Sequence, residues 1–358
     1  MINDLKVYMT DRIIKASKVI VIPHNKPDFD AIGSAAGITL IAKKFKKESR
    51  IIVNDDITNI YPGVKVIIEE LNKEGSVVIN KEEYNNIKDK NDLFILTDVN
   101  SNKLISVSDL LNENNSIIID HHNLGENSII SSYNYIDSSA SSASDIVTKL
   151  LNSYKIKIPS DIATYLLTGI HLDTARLTKN TKSDTFKIAY KLLDAGASTD
   201  RVSDFFVEDF YSDRKVQNLV SRLNIFNYTV GTIIADENEL VEAVELAKAA
   251  DYSLRYGLDA VFALGKISDD TVSISSRSHG KVNVGAVMEE FDGGGHQYSG
   301  AAKIKDATLE EVSTKLKKLL KNPYYICWFF LYSFIAFWYY LFRELVVSFR
   351  HNVVSCKL

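Results

Sequence analysis

The segment His24-Asn25-Lys26-Pro27-Asp28-Phe29-Asp30 places an imidazole and two carboxylates in one short stretch, directly after the apolar run Lys18–Ile22. Mixed imidazole and carboxylate ligation suits Mn²⁺, Fe²⁺ or Zn²⁺ better than Mg²⁺. In an extended loop Asp28 and Asp30 face the same way. The competing reading is an Asp-rich turn in which Asp30 caps a helix beginning at Ala31. Asp98 follows Leu93–Leu96, and Asp120-His121-His122 follows Ser116–Ile119. Ionisable groups bunched just past a buried strand cost desolvation energy unless something compensates, and a divalent cation would. Two adjacent histidines point in different directions, so one can hold metal while the other faces substrate. Taken singly, Asp98 also reads as a turn residue and the triplet as a solvated cluster. Asp173, in Gly169-Ile170-His171-Leu172-Asp173-Thr174, ends an apolar helix; His171 there reads better as a satisfied structural histidine.

A second group lies far along the chain: Ser275-Ser276-Arg277-Ser278, Asn283-Val284 and Gly293-Gly294-Gly295-His296. Consecutive glycines let backbone N–H groups approach a phosphate, and Arg277 offers a planar donor fork. A simple turn is the plainer explanation of the glycines.

These groups need a frame. Apolar runs at Lys18–Ile22, Arg50–Val53, Ser76–Ile79, Leu93–Leu96 and Ser116–Ile119 read as strands, with helical patterns such as Ala31–Lys43 and Val64–Leu71 between them. That alternation predicts an α/β fold with a covered parallel sheet, in which functional groups gather beyond the carboxyl ends of the strands. Helices are predicted over Asp161–Ile170, Asp184–Ala195 and Thr199–Leu223. Strands Thr229–Ala235, Ala260–Gly265 and Thr271–Ser276, with helices Glu237–Ala250 and Leu309–Leu320, predict a smaller α/β domain joined through a long helix. The expected domains are 1–196, a helical linker 197–226, 227–321, and a tail 322–358.

Composition narrows the partners. A formal net charge of −4 leaves no large basic field for long nucleic acid, so a small nucleotide or short oligonucleotide fits better. Cys327 and Cys356 both lie in the tail, so neither a disulfide framework nor a cysteine zinc site is expected, in keeping with a reducing cytosol. Met1–Lys18 has no apolar signal-peptide core. The tail is different: Tyr324–Phe342 is uncharged and holds both tryptophans, just long enough for a membrane span. Lysines from Lys315 to Lys321 would then mark the cytosolic side. Competing readings are a read-through or frame-shifted product, and a buried or interfacial helix.

Taken together, H-x3-D-x-D, a strand-end Asp, D-H-H, G-I-x-x-D-T and a terminal G-G-G-H resemble the DHH/DHHA1 phosphoesterases over roughly residues 10 to 320. Within that superfamily the likeness is strongest to the catalytic half of GdpP-type cyclic-di-AMP phosphodiesterases. It rests on Pro27–Gly33, Asp173-Thr174, Thr185-Phe186, Ala195-Gly196-Ala197, Ser276-Arg277-Ser278, Asn283-Val284 and Met288. The resemblance implies two Mn²⁺ ions. His24 and Asp28 would hold one, Asp30, His121 and Asp173 the other, and Asp98 would bridge them. His122 would face the scissile phosphate, with Asp120 orienting it. Arg277, Ser278, Asn283 and Gly293, Gly294, Gly295 and His296 would hold the far phosphate or base. It also implies a homodimer. The chain departs from the family pattern at Asn123-Leu124, Leu177 and Asp292, and it is expected to start directly at the catalytic part, ahead of which the full-length type carries membrane helices and sensory domains. The alternatives are an NrnA-like oligoribonuclease or pApA/phosphoadenosine-phosphate phosphatase, and a catalytically idle nucleotide-binding sensor.

Overall fold

A computed structural model describes residues 2–53, 60–73, 75, 77–111, 114–125, 127–207, 210–226 and 229–321. Two compact units divide the chain, Met1–Glu208 and Asp209–Leu358.

Unit 1 is built on six parallel strands: β1 Lys18–Ile22, β2 Glu48–Ile52, β3 Val78–Ile79, β4 Leu93–Thr97, β5 Ser116–Asp120 and β6 Tyr133–Ile136. Their spatial order is β3-β2-β1-β4-β5-β6. The chain runs outward from β1 to β3, then returns to lay β4 beside β1. The β1/β4 junction is therefore a topological switch point, where an open α/β sheet leaves a crevice beyond its carboxyl edge. His24 and Asp98 follow these two strands.

The sheet is covered on both faces, which is why its central strands read as unbroken apolar runs. Val19, Val21, Ile95, Ile117 and Ile119 enter one core, while Ile20, Ile22, Leu96 and Ile118 enter the other. The helices are α1 Ile2–Lys15, α2 Phe29–Lys44, α3 Pro62–Leu71, α4 Lys81–Asn85, α5 Ala143–Ser153, α6 Ser160–Asp173, α7 Ser183–Asp194 and α8 Thr199–Phe205. Helix α2 is buried almost all round, and it approaches α6 closely because Gly33 has no side chain: a Cβ there would stand 2.6 Å from Tyr165 O.

Unit 2 has a mixed six-stranded sheet, ordered β11-β12-β10-β9-β8-β7. Its strands are β7 Asn224–Phe226, β8 Val230–Ile234, β9 Ala260–Ser268, β10 Thr271–Ser278, β11 Gly294–Gly295 and β12 Ser299–Lys305. Strands β8 and β9 pair in parallel; the other pairings are antiparallel. Helices α9 Phe210–Val220 and α10 Ala243–Leu254 share one apolar cluster, whereas α11 Val284–Glu289 and α12 Leu309–Leu319 pack into a second.

The long helix expected over Thr199–Leu223 is two helices, α8 and α9. Phe205 and Phe206 both bring their rings to Phe29, at centroid separations of 6.4 and 4.8 Å. Successive positions on a continuing helix diverge by about 100°, so the chain turns at Phe206 instead. The helix expected from Glu237 starts at Ala243, where Glu245 Oε2 accepts the Glu242 N–H at 2.8 Å. Among the described residues no helix is long and apolar enough to cross a membrane. The span expected at 324–342 lies outside the described residues.

Candidate metal centre

Asp98 sits at the middle of the crevice. It ends β4 in a left-handed conformation, φ +58°, which aspartate tolerates better than most residues but which still costs strain. Its N–H donates to Ile119 O at 3.1 Å, tying it to β5. Its Oδ2 lies 3.7 Å from His24 Nε2, and its Oδ1 lies 3.4 Å from His121 Nε2. His24 Nε2 also stands 3.8 Å from Asp28 Oδ2. On the other side, His121 Nε2 is 3.1 Å from Asp173 Oδ2 and 4.0 Å from Asp30 Oδ2. Three overlapping donor groups each have their ligand atoms within 4.8 Å of one another: His24/Asp28/Asp98, Asp30/His121/Asp173 and, joining them, Asp98/Asp120/His121/His122.

The electrostatics of this cluster ask for cations. Asp98 Oδ1 and His121 Nε2 are buried without a hydrogen-bond partner. The short approach of His121 to Asp173 is a charge contact that is not aligned for a hydrogen bond. Burial, and then the neighbouring Asp173 charge, push Asp30 up to about 7. Burial and the Asp30 charge likewise hold Asp98 well above the usual carboxylate range. Burial alone would lower His121, but the Asp173, Asp98 and Asp30 carboxylates outweigh it and push it up to about 11. Like charges crowded in a dry site are relieved by a divalent ion. Imidazole nitrogens and carboxylate oxygens are the donor types that first-row divalent ions prefer. The residues present thus fit a pair of such ions.

Local structure explains how each donor is aimed. Asp28, not Asp30, caps α2: its Oδ1 accepts the N–H groups of Asp30 and Ala31 at 2.9 and 3.0 Å, leaving Oδ2 toward His24. The two aspartates therefore do not alternate along an extended loop. Burial would raise Asp28, but the His24 contact and these two N–H groups together lower its pKa. Asp30 lies in the first helical turn and is fully buried. Its carboxylate accepts the N–H groups of Ala143 and Ser144 at 2.6 and 2.8 Å, at the N-terminus of α5. Sequence reasoning missed these donors; Ser142, which caps α5, is the signal that marks that helix start. Gly169 is required here too, since a Cβ would come within 2.8 Å of Asp30 Cα and Oδ1.

Asp120 is fully buried, and its Oδ1 accepts the N–H groups of His121 and His122 at 2.7 and 3.1 Å. The same oxygen lies 2.9 Å from His122 Nδ1. That contact, counteracted in part by burial, raises the His122 pKa. Asn100, also missed in the sequence, holds the His122 carbonyl through Nδ2 at 3.1 Å. His171 is half-buried, and burial, with the Arg176 charge, lowers its pKa.

In unit 2 the expected substrate-binding residues carry visible structural duties. Arg277 Nε donates to Asp251 Oδ2 and Nη1 to Ser276 O, both at 3.0 Å, so part of its fork is engaged. Ser278 Oγ accepts the Gly280 N–H at 2.9 Å, and Asn283 Oδ1 caps α11 by accepting the Ala286 N–H at 3.2 Å. Gly293 and Gly295 are demanded by close backbone: a Cβ on either would meet a β12 carbonyl at 2.3 Å. Gly294 has open space beside it, and His296 is exposed.

A covered parallel sheet with this crevice, followed by a mixed-sheet unit, defines a phosphoesterase class. Residues 18–170 match the DHH family, N-terminal domain, and residues 227–322 match the DHHA1 domain. The chain belongs to the DHH/DHHA1 phosphoesterase family. It is 33% identical over 322 residues to the cyclic-di-AMP phosphodiesterase GdpP of Geobacillus thermodenitrificans, covering 88% of this chain and 49% of that one. The chain thus spans about half the length of that relative. It is 27% identical over 320 residues to the bifunctional oligoribonuclease and PAP phosphatase NrnA of Mycoplasma genitalium, covering 85% of this chain and 95% of that one. An exopolyphosphatase-related protein from Bacteroides fragilis shares the fold, with a TM-score of 0.70 at 22% identity over 88% of this chain and 97% of that one.

Proposed function

We propose that this chain is a Mn²⁺-dependent phosphodiesterase that hydrolyses cyclic di-AMP to pApA. The observation that carries the reading is Asp98, a strained, buried carboxylate lying between two histidine–carboxylate sets. In this reading His24 and Asp28 hold one ion, Asp30, His121 and Asp173 hold the other, and Asp98 serves both. When bound, such ions neutralise charge on phosphoryl oxygens and acidify water.

The remaining work falls to the chain's own side chains. Asp120 holds His122 by Nδ1, leaving Nε2 on the exposed edge of the ring. Its raised pKa favours the imidazolium, so Nε2–H donates to a phosphate oxygen as negative charge builds there. In unit 2, Arg277, Ser278, Asn283 and the Gly293–His296 turn are assigned to the nucleotide. Likeness to GdpP supports the cyclic substrate. The assembly expected with this reading is a homodimer.

A second reading, hydrolysis of pApA, phosphoadenosine phosphate or short RNA, is favoured by one fact: the chain spans nearly the whole length of the NrnA relative. Purified protein with Mn²⁺ is incubated separately with cyclic di-AMP, pApA and a short RNA. The expected result is fastest turnover of cyclic di-AMP. Preference for a linear substrate overturns the first reading in favour of the second, and binding without turnover of any of the three makes the chain a nucleotide sensor.

A further inference from the structure

Ala175, Arg176 and Leu177 have φ of +46, +60 and +61°, three consecutive left-handed residues directly after Asp173-Thr174, and none is glycine. Asn180 adds a fourth at +49°. L-residues resist this conformation, and it persists where the surroundings over-determine it. Here the pins are visible. The Arg176 N–H donates to His171 O at 2.7 Å, and the Leu177 N–H to Thr174 Oγ1 at 2.9 Å. Thr174 O receives the N–H groups of Thr178 and Lys179 at 2.9 and 2.8 Å. Thr174 is fully buried and Leu177 packs on the core.

The reversal places Arg176. Its guanidinium lies 5.5 Å over the Phe206 ring, and Phe206 in turn packs 4.8 Å from Phe29, the residue between Asp28 and Asp30. The side chain is exposed, and among the described residues it has no carboxylate partner. A guanidinium laid on an aromatic face keeps its in-plane N–H donors free. A free donor fork, fixed on an aromatic stack that leads to the metal loop, matches a phosphate group bidentately.

We propose that Arg176 anchors a second phosphate of the substrate, so that unit 1 itself favours ligands carrying two phosphates over a simple diester. This rests on the phosphodiesterase reading above. The test compares cyclic di-AMP with bis(p-nitrophenyl) phosphate, which has one phosphorus. In Arg176→Gln, kcat/KM for cyclic di-AMP should fall about tenfold relative to that for the simple diester, through KM. Arg176→Lys should recover part of the loss. Ala175→Gly suits the left-handed turn that places Arg176, so it should raise the melting temperature and leave the selectivity ratio unchanged. An equal loss on both substrates would mean that Arg176 only supports the fold, and no loss on either would mean that it touches no second phosphate; either overturns the proposal. A wild-type protein that hydrolyses neither compound defeats the phosphodiesterase reading instead.

Discussion

His122 Nδ1 lies 2.9 Å from Asp120 Oδ1, and this contact decides which edge of the ring can meet a substrate. The Asp120 carboxylate accepts from Nδ1, so the free nitrogen is Nε2. The pair has the form in which a carboxylate fixes an imidazole's orientation and raises its basicity.

Asp120→Asn keeps the shape and removes the charge that raises the His122 pKa. The imidazolium should then be lost at lower pH, and the alkaline limb of the pH–rate profile should move toward acid. Turnover should fall roughly 10–100-fold, the range typical of losing an orienting partner. An alkaline limb that stays in place in Asp120→Asn would show that His122 does not act as the charged donor.

Asp98 offers a sharper separation of stability from activity. Its carboxyl is held well above the usual range by burial and by the Asp30 charge, so ionising it in the metal-free protein works against folding. Asp98→Asn keeps a residue that tolerates positive φ and removes that charge. The metal-free variant should melt at or above the wild-type temperature. Its Mn²⁺-dependent activity should fall by more than about a hundredfold, beyond the usual cost of an outer partner. Calorimetry and a phosphodiester assay on the same sample check both halves, and sustained Mn²⁺-dependent turnover would remove Asp98 from the centre of the site.

The sequence made much of this arrangement readable, and the reasons are physical. Strands β1, β4 and β5 are buried on both faces, so they stand out as apolar runs, and the residues after them were natural candidates. Strand β6 did not stand out, because Tyr133–Ile136 is partly exposed and mixes polar with aromatic residues. Helix α11 and strand β11 are too short for a period to stand out, and β12, Ser299–Lys305, is built mostly of small residues and lysine. Asp28 and Asp30 are equally good caps on type alone, so residue type does not single out Asp28 as the cap of α2. The amides of Ala143 and Ser144 that grip Asp30 come from more than a hundred residues away in sequence, which no local pattern reveals. The turn at Ala175–Leu177 was invisible for a similar reason: its residues have no left-handed preference, and packing imposes it.

The same charges govern how the metal-free protein responds to pH. Asp30 is raised from 3.8 to about 7, so its favourable contribution is present at low pH and is lost as pH rises through that value. His121 is raised from 6.5 to about 11, so its contribution is complete below 6.5 and drains away toward 11. Both groups hold more protons folded than unfolded in the neutral range. Chelated protein should therefore lose stability from about pH 6 to about pH 9. Bound Mn²⁺ displaces those protons, so the rise in melting temperature on adding it should be larger at the alkaline end. Thermal melts with and without chelator across that range check the sign; a metal-induced rise that shrinks with pH would contradict the assignment of Asp30 and His121 as ligands.

Gly169 links helix packing to the metal loop. A Cβ at this position would stand 2.5 Å from Ser144 Oγ and 2.8 Å from both Cα and Oδ1 of Asp30. Backbone cannot yield as a side-chain tip can, so Gly169→Ala should cost about 1–3 kcal/mol of stability by overpacking. It should also displace the Asp30 carboxylate from the amides of α5 and weaken Mn²⁺ binding. Gly37→Ala is the control. Its Cβ would meet Val147 Cγ1 at 2.6 Å, crowding α2 against α5 two turns away from Asp30. Both variants should melt earlier, but only Gly169→Ala should need more Mn²⁺ to reach half-saturation at a temperature where both are folded. Equal Mn²⁺ midpoints in the two would mean that Asp30 is not held for metal by the α5–α6 packing, and would leave Gly169 a purely structural residue.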